Sequence, residues 1–355
     1  MTSFAIGVDL GGTNLRVAAV DTRGVILEKI TTGTEVARPR DQVLDEMCVA
    51  ISGLAAKFGK SKHLAGIGVG IPGIIDMHSG MLHESPNLPG WQDYPVRSEL
   101  ERRLGTKVIL ENDANSACMG EKWLGAGSES DHLCMLTLGT GVGGGLVLDG
   151  KIWHGMTGMA GELGHTTVDP QGPQCGCGNR GCLEQYASAT AIKRMAMEAI
   201  EIGEAPQLAY AMNRNPEFSA KMVYELAEQG DEPAQQIFRK AGQALGVVLA
   251  SLVNTFNMRV YVIGGGVSSA WKAFAPTMLE EVQKRSFVYV ATNAADLSVA
   301  NQGNHAPAKT RSSGWPTLIT QAQLGSDAGL IGAARLPMLA NGVHLPEQEV
   351  KTIVK

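Results

Sequence analysis

Residues 4–14 read FAIGVDLGGTN, an apolar segment that runs into an acid, two glycines, a threonine and an asparagine. A second apolar segment, LRVAAVD, follows at once, and a DTRG turn leads into VILEKI, so three strands joined by tight turns are predicted. Residues 132–153, HLCMLTLGTGVGGGLVLDGKIW, repeat this order of strand, glycine- and threonine-rich turn, strand, turn and strand. The repetition predicts an α/β protein with two similar halves facing a cleft, each offering a glycine hairpin to a shared ligand.

Helical and strand patterns alternate along the rest of the chain. Apolar spacing predicts a helix over residues 40–58, and AGIGVGIPG (65–73) and KVILEN (107–112) read as strands. Residues 114–127 and most of 187–256 are predicted to be helical. RVYVIGGGVSS from residue 259 predicts another strand with three glycines, and PTLITQAQLG from residue 316 predicts the last strand, before a helix over about 326–338. The polar residues 292–315 are predicted to form a loop, and the chain ends in a polar tail.

Composition excludes several classes of protein. With 44% hydrophobic and 18% charged residues, 355 residues suffice for two well-packed domains, and disorder is not expected. The net charge of −5 provides no electrostatic basis for binding nucleic acid or an anionic membrane, and no apolar run approaches a membrane span. The opening MTSFAIGVDL leads directly into a strand, so we expect no signal peptide and a soluble, cytoplasmic protein with reduced thiols.

A cysteine-rich loop predicts a metal site. Residues 161–184, GELGHTTVDPQGPQCGCGNRGCLE, place Cys175, Cys177 and Cys182 close together, with His165 upstream. One imidazole and three thiolates make a closed, tetrahedral zinc site of the structural type, which would shape its surroundings rather than perform chemistry. The alternative is a flexible loop with incidental cysteines. Three cysteines within eight residues favour zinc over that alternative.

The glycine turns do not match the common nucleotide motifs. GTGVGGG (139–145) and GVGIPG (68–73) both contain G-x-G-x-x-G, but each is followed by a predicted strand, whereas the dinucleotide motif requires a helix. The chain also has no G-x-x-x-x-G-K-[ST] sequence, so a P-loop is excluded. In DLGGTN (9–14) the turn amides could cradle phosphate while Asp9 holds Mg²⁺ through water, although an ordinary hairpin has the same pattern.

Three acidic residues have both structural and functional interpretations. Asp113 stands where the strand KVILEN meets a helix, which suits an N-cap, but strand ends also face the ligand crevice of α/β sheets. Glu162 and Glu184 flank the cysteine loop. They are either solvated, as single glutamates usually are, or bind hydroxyl groups beside the metal.

Several motifs together resemble the ROK family of sugar kinases and repressors. DLGGTN, GIPG, NLPGW, ENDAN, GTGVGGG, GELGH, CGCGNRGCLE, IGGG and LGSDAGLIGAA stand in that family's order over nearly the whole chain. The segments GELGHTTVDPQG and CLEQYASATAI are most similar to those of the bacterial glucokinases. The resemblance implies an actin-like, ribonuclease-H-like ATPase fold of two α/β domains around a cleft, and a homodimer. We place the smaller domain at residues 1–115 plus about 326–355, and the larger, with the zinc loop, at 116–325.

The resemblance also implies roles for single residues in an ATP-dependent transfer to the 6-hydroxyl of glucose, a step of glycolysis. Asp113 would be the catalytic base. Sugar hydroxyls would be held by Asn87, Asn112, Asp113, Glu162, His165 and Glu184. ATP would be surrounded by Gly11, Gly12, Thr13, Asn14, Thr140, Gly141, Gly265 and Gly266, with Asp9 near its Mg²⁺. Zn²⁺ would be bound by His165, Cys175, Cys177 and Cys182.

Two alternatives remain open at this stage. The substrate could be fructose, N-acetylglucosamine or N-acetylmannosamine, and the phosphoryl donor could be polyphosphate or another nucleotide. Repressors of the family carry a helix-turn-helix domain ahead of the kinase-like portion. Since only three residues precede the first predicted strand and the charge is negative, we expect no DNA-reading module and favour the kinase.

Overall fold

The computed structural model describes residues 2–33, 38–293 and 315–343. Contacts between residues divide the described chain into two compact units. The first unit comprises the described parts of Met1–Asp131, Gly145–Gly161 and Gln323–Lys355, and the second those of His132–Gly144 and Glu162–Ala322. The structure thus divides after Asp131, where the sequence suggested a boundary near residue 115.

The first unit is built on a five-stranded sheet. The strands of this sheet are β1 (Ser3–Leu10), β2 (Asn14–Asp21), β3 (Ile26–Gly33), β4 (His63–Ile71) and β7 (Ile109–Asn112). A separate two-stranded hairpin consists of β5 (Ile74–Asp76) and β6 (Met81–Glu84). The helices of this unit are α1 (Arg40–Gly59), α2 (Val96–Leu104), α3 (Asp113–Leu124) and, late in the chain, α11 (Ala328–Ala340). The sheet order is β3-β2-β1-β4-β7, with β1–β2 and β2–β3 antiparallel and β1–β4 and β4–β7 parallel.

The alternation of side chains along β1 explains how helices cover both faces of this sheet. Phe4, Ile6 and Val8 point to one face and are buried in a cluster with the apolar residues of α1. Ala5 and Gly7 point to the other face, where α11 comes so close that a Cβ on Gly7 would lie 2.2 Å from a backbone oxygen of that helix. Helix α3 packs beside α11, which is why residues 116–131 belong to the first unit.

The second unit carries the repeat. Its strands are β8 (Leu133–Leu138), the start of β9 (Val142–Leu148), β11 (Val260–Gly264) and β12 (Leu318–Gln321). With β10 (Lys151–Ile152), the sheet order is β10-β9-β8-β11-β12, and β8, β11 and β12 run parallel. This order repeats that of the first sheet strand for strand, so the predicted duplication is confirmed. The helices are α4 (Glu184–Ala187), α5 (Ala189–Glu201), α6 (Pro206–Arg214), α7 (Ala220–Glu228), α8 (Glu232–Phe256), α9 (Trp271–Arg285) and α10 (Phe287–Thr292).

Most predicted elements are confirmed within a few residues. Both G-x-G-x-x-G matches lead into strands, β9 and β5, as the rejection of a dinucleotide site requires. The sequence analysis missed α2 and β6, and it placed residue 292 in a loop although α10 ends there. The rest of the predicted loop, at 294–314, and the polar tail after residue 343 lie outside the described residues. Among the described helices, none is both long and apolar enough to cross a membrane.

Candidate functional site

The predicted site residues fall into two groups, one in each unit. The group in the first unit consists of Asp9, Gly11, Gly12, Thr13, Asn14, Asn87, Asn112 and Asp113. The group in the second unit consists of Thr140, Gly141, Glu162, His165, Cys175, Cys177, Cys182, Glu184, Gly265 and Gly266.

The β1–β2 turn of the first unit lies against the NLPGW segment. Strands β1 and β2 are antiparallel, and the Gly11 amide donates to the Asn14 carbonyl at 2.8 Å, which closes the turn. A Cβ on Gly12 would lie 3.1 Å from the backbone oxygen of Asn87. The predicted phosphate turn and a predicted sugar-binding residue are therefore neighbours within this unit.

Asp9 is a buried carboxylate held by an arginine. Arg16 stands opposite Asp9 in the β1–β2 pair, and its guanidinium donates both to the Asp9 carboxylate and to the Ser326 carbonyl. Burial raises the pKa of Asp9, and the charge of Arg16 opposes that shift. A carboxylate oxygen is the ligand type that Mg²⁺ takes in proteins. The sequence reading missed Arg16, although its place across the turn from Asp9 pointed to the pair.

The β7–α3 junction settles the structural interpretation of Asp113. Asn112, with extended backbone, is the N-cap of α3, and its Oδ1 accepts from the amides of Ala114 at 2.9 Å and Asn115 at 3.2 Å. Asp113 is the first helical residue, so its interpretation as N-cap is wrong. A carboxylate in the first turn is favoured by the partial positive charge of the helix N-terminus. The Asn112 Nδ2 donates to the Gly73 carbonyl at 3.3 Å, so both ends of this amide have protein partners.

Two residues that the sequence analysis did not single out, the buried Glu111 and His154, lie next to the β7–α3 junction. The Glu111 side chain, 3% exposed, accepts from His154 Nε2 at 2.7 Å. It also accepts from the Asn112 amide at 2.9 Å and from Asn115 Nδ2 at 3.0 Å. The hydrogen bond to Glu111 raises the pKa of His154, because the carboxylate favours the cationic ring. Glu111 is the first residue of the ENDAN motif, but from the sequence alone it was indistinguishable from the other residues of the predicted strand.

His165 and the three cysteines come together in the second unit. His165 Nδ1 lies 3.6 Å from Cys175 Sγ, and the sulfurs of Cys177 and Cys182 are 3.7 Å apart. All four ligand atoms lie within 4.8 Å of one another. Zn–S bonds of about 2.3 Å and a Zn–N bond of about 2.0–2.1 Å at tetrahedral angles require edges of about 3.8 Å (S–S) and 3.6 Å (S–N). The donor set therefore fits zinc, and these two separations are close to the edges of a tetrahedral site.

The pKa values of two thiols in the cluster are shifted in opposite directions. Burial, and then the neighbouring thiols, raise the pKa of Cys182 to about 12, whereas a hydrogen bond from the Asn179 amide lowers the pKa of Cys177. Crowded thiolates repel one another, and a bound metal ion removes that penalty. Gly181 lets the loop close: its φ is +63° and a Cβ there would lie 1.6 Å from the Asp169 carbonyl oxygen.

The predicted sugar-binding glutamates flank this cluster. Glu162 Oε2 lies 4.0 Å from His165 Nε2, the ring nitrogen that faces away from the cysteines. Partial burial raises the pKa of Glu162, His165 opposes the shift and the charge of Glu184 adds to it. Glu184 begins α4, and its Oε2 accepts from the Val142 amide at 2.9 Å. A Cβ on Gly141 would lie 2.4 Å from that same oxygen, so the β8–β9 turn and a predicted sugar-binding residue adjoin here too.

The third glycine turn meets the end of β8. Gly265 has a φ of +82°, and a Cβ there would lie 2.4 Å from the Leu138 carbonyl oxygen, so only glycine fits. Gly266 has open space around it and begins the five-residue 3-10 helix Gly266–Ala270 before α9. The Thr140 carbonyl accepts from the Thr190 hydroxyl at 2.8 Å, which holds the neighbouring turn. In the second unit, the predicted nucleotide residues thus lie at the ends of the adjacent strands β8 and β11.

Comparison with known proteins gives a consistent picture. The ROK family matches residues 5–313. A glucokinase of Thermotoga maritima is 41% identical over 278 residues, which cover 78% of this chain and 86% of that protein. A xylose repressor of Caldicellulosiruptor bescii is 30% identical over 80% of this chain and 71% of the repressor.

Among solved structures, a ROK family glucokinase from Streptomyces griseus in complex with glucose and AMPPNP is similar over 94% of this chain and 98% of that chain. The TM-score is 0.74 and the sequences are 32% identical. Together with the repeated sheet and the glycine turns, these matches show that the chain belongs to the ROK family and has its actin-like ATPase fold.

Proposed function

We propose that this protein is a glucokinase, which transfers the γ-phosphoryl group of ATP to the 6-hydroxyl of glucose. One observation carries the proposal: in each unit a glycine turn of the phosphate-binding kind touches a polar residue suited to sugar. These contacts are Gly12 with Asn87, and Gly141 with Glu184. A transferase needs its two substrates side by side, and this arrangement in both repeats supports that geometry.

Asp113 is the general base in this proposal. Its carboxylate takes the proton of the sugar hydroxyl as the oxygen attacks the γ-phosphorus, and the bond from that phosphorus to the bridging oxygen of ADP breaks. Phosphoryl transfer leaves little covalent work to the protein, so orientation and charge stabilisation dominate. Mg²⁺, for which Asp9 offers a carboxylate oxygen, neutralises charge on the phosphates when bound. The glycine turns supply backbone amides to the same phosphates.

The proposed zinc is structural. With all four positions taken by His165, Cys175, Cys177 and Cys182, no open position is left for a reacting group. Since His165 Nδ1 faces the cysteines and would bind the zinc, its Nε2 carries the ring proton and can donate to a sugar hydroxyl oxygen. The zinc loop would thereby fix the ring of His165 and, through it, the position of Glu162.

Glucose is the sugar that the residues and the relatives favour. Glu162 and Glu184 can each accept from two neighbouring hydroxyls, and His165 and Asn87 add further hydrogen bonds. A site built from such bonds discriminates strongly, because a missing hydroxyl leaves a buried polar group unpaired. The glucokinase of Thermotoga maritima, at 41% identity, supports the same choice.

Sugar binding without phosphoryl transfer is the second candidate, favoured by the similarity to a xylose repressor. A coupled assay of the purified chain separates the two. It compares glucose, mannose, fructose, xylose and the N-acetylated hexosamines, with ATP and with polyphosphate as donors, beside calorimetric binding of each sugar. We expect the highest kcat/KM for glucose with ATP. Binding without turnover of any sugar would favour the sensor, and faster turnover of another hexose would change the substrate but keep the kinase.

The predicted homodimer remains a prediction. Light scattering at the concentration of the kinetic assay measures it directly, with twice the chain mass of 37.5 kDa as the expected result. A mass equal to that of a single chain would contradict it.

A further inference from the structure

The residues around Asp113 are tied together by a buried carboxylate. Glu111 uses both of its oxygens: Oε1 accepts from the Asn112 amide and from Asn115 Nδ2, and Oε2 accepts from His154. The Asn115 amide donates in turn to Asn112 Oδ1, so the hydrogen bonds form a closed network over residues 111–115. Asp113 is the central residue of that segment.

His154 approaches this network from a separate segment that is itself anchored. Its carbonyl accepts from the Ala160 amide at 3.1 Å, which closes the loop after β10. Within that loop Gly158 has a φ of +92°, and a Cβ there would lie 2.7 Å from Met77 Cγ, so the loop packs tightly against the end of β5. The backbone that carries His154 is therefore anchored, and it places the ring where it donates to Glu111.

We propose that His154 and Glu111 form a positioning pair that fixes the β7–α3 junction, and with it the carboxylate of Asp113, in the orientation needed to accept the sugar proton. The inference rests on the proposed function, because it assigns Asp113 the part of the base. Neither His154 nor Glu111 is assigned a contact with substrate.

Loss of the His154 donor has a definite consequence at Asp113. The Glu111 carboxylate, 3% exposed, would keep an unpaired oxygen away from water, which is costly for a charged group. The carboxylate would rotate or take up a proton, and either change weakens its bonds to Asn112 and Asn115. Displacement of a catalytic group by about 1 Å can cost on the order of 100-fold in rate, and loss of a supporting hydrogen bond in metal sites costs about 10–100-fold.

Two substitutions at one position separate positioning from packing. His154→Phe keeps a ring but has no donor, whereas His154→Gln keeps an N–H that can reach the carboxylate. Glu121→Gln is the matched control. Glu121 is a fully buried acid on α3, but it accepts from the amides of Ala126, Gln323 and Leu324, away from the β7–α3 junction.

We expect His154→Phe to lower kcat for glucose about 10–100-fold with the KM for ATP nearly unchanged, and His154→Gln to stay within about threefold of the wild type. Glu121→Gln should lower the unfolding temperature but keep kcat. Amide hydrogen exchange of residues 111–116, measured by mass spectrometry, should quicken in His154→Phe and not in His154→Gln.

The proposal is overturned if His154→Phe keeps the wild-type kcat and exchange, or if His154→Gln is as impaired as His154→Phe. It is also overturned if Glu121→Gln lowers kcat equally at equal loss of stability. Should the wild-type chain phosphorylate no sugar, the proposed function fails, and hydrogen exchange alone then decides whether the pair fixes the junction.

Discussion

The Gly141→Ala variant tests whether Glu184 binds the sugar, because the structure shows which atom the added methyl group would contact. The new Cβ would lie 2.4 Å from Glu184 Oε2. An ordinary carbon–oxygen contact is about 3.4 Å, so the carboxylate must retreat by about 1 Å and its bond to the Val142 amide must lengthen or break. Carboxylate hydrogen bonds to hydroxyls contribute about 1.5–3 kcal/mol each, and every 1.4 kcal/mol is about tenfold in affinity. We therefore expect the KM for glucose to rise about 10–100-fold.

The assay is a coupled kinetic titration of glucose at saturating ATP, then of ATP at saturating glucose. Gly139→Ala is the matched control in the same turn, because its added methyl would meet only the Gly141 carbonyl oxygen, at 4.0 Å. Both variants can alter the KM for ATP, but only Gly141→Ala should alter that for glucose. An unchanged KM for glucose in Gly141→Ala, or an equal rise in Gly139→Ala, would refute the assignment of Glu184 to the sugar.

The remaining predictions concern metal, pH and packing. The Cys177→Ser variant should bind zinc at least about tenfold more weakly than the wild type and unfold at a lower temperature. Elemental analysis and thermal unfolding measure these two changes. Active wild-type enzyme that contains no zinc would contradict the prediction of a structural zinc. Glu111 raises the pKa of His154 above its ordinary value of 6.5. The pair therefore makes its whole contribution to the free energy of unfolding below about pH 6.5, and that contribution is lost as the pH rises through the folded-state pKa of His154. The unfolding-temperature advantage of the wild type over His154→Gln should therefore shrink with rising pH, and a constant difference contradicts it. Gly68→Ala would place its Cβ 1.9 Å from a backbone oxygen of α11 and should lose at least about 3 kcal/mol in denaturant unfolding. Gly53 is an exposed helical residue, and a Cβ there would meet nothing within 4 Å, so Gly53→Ala should raise the free energy of unfolding by about 0.5–1 kcal/mol. An equal loss of stability in both glycine variants would contradict both predictions.

Much of the fold could be predicted because strand and turn signals are local. The apolar segments and glycine turns of residues 4–33 and 132–153 each specify a meander, and their repetition indicated the shared strand order that the structure has. What the pattern could not specify is which helix covers which face. Helix α3 belongs to the first unit because it packs on α11, more than two hundred residues later in the chain, and no local signal carries that pairing.

The candidate site shows the same division between local and long-range information. The cluster of His165 and three cysteines was predictable because the cysteines lie within eight residues and their chemistry is distinctive. The partners of buried charges were not, since Glu111 meets His154 only through folding, 43 residues apart in sequence. Asp113 was placed correctly at a strand end, yet the choice of cap between it and Asn112 depended on backbone angles that spacing alone does not give.

Asp113→Asn tests the central claim most directly. The substitution keeps the size of the side chain and leaves the N-cap intact, because the cap is Asn112. Circular dichroism and the unfolding temperature should therefore stay close to those of the wild type, while kcat for glucose with ATP should fall roughly 10²–10⁴-fold through loss of the general base. A folded Asp113→Asn protein that turns over glucose at the wild-type rate would contradict the account.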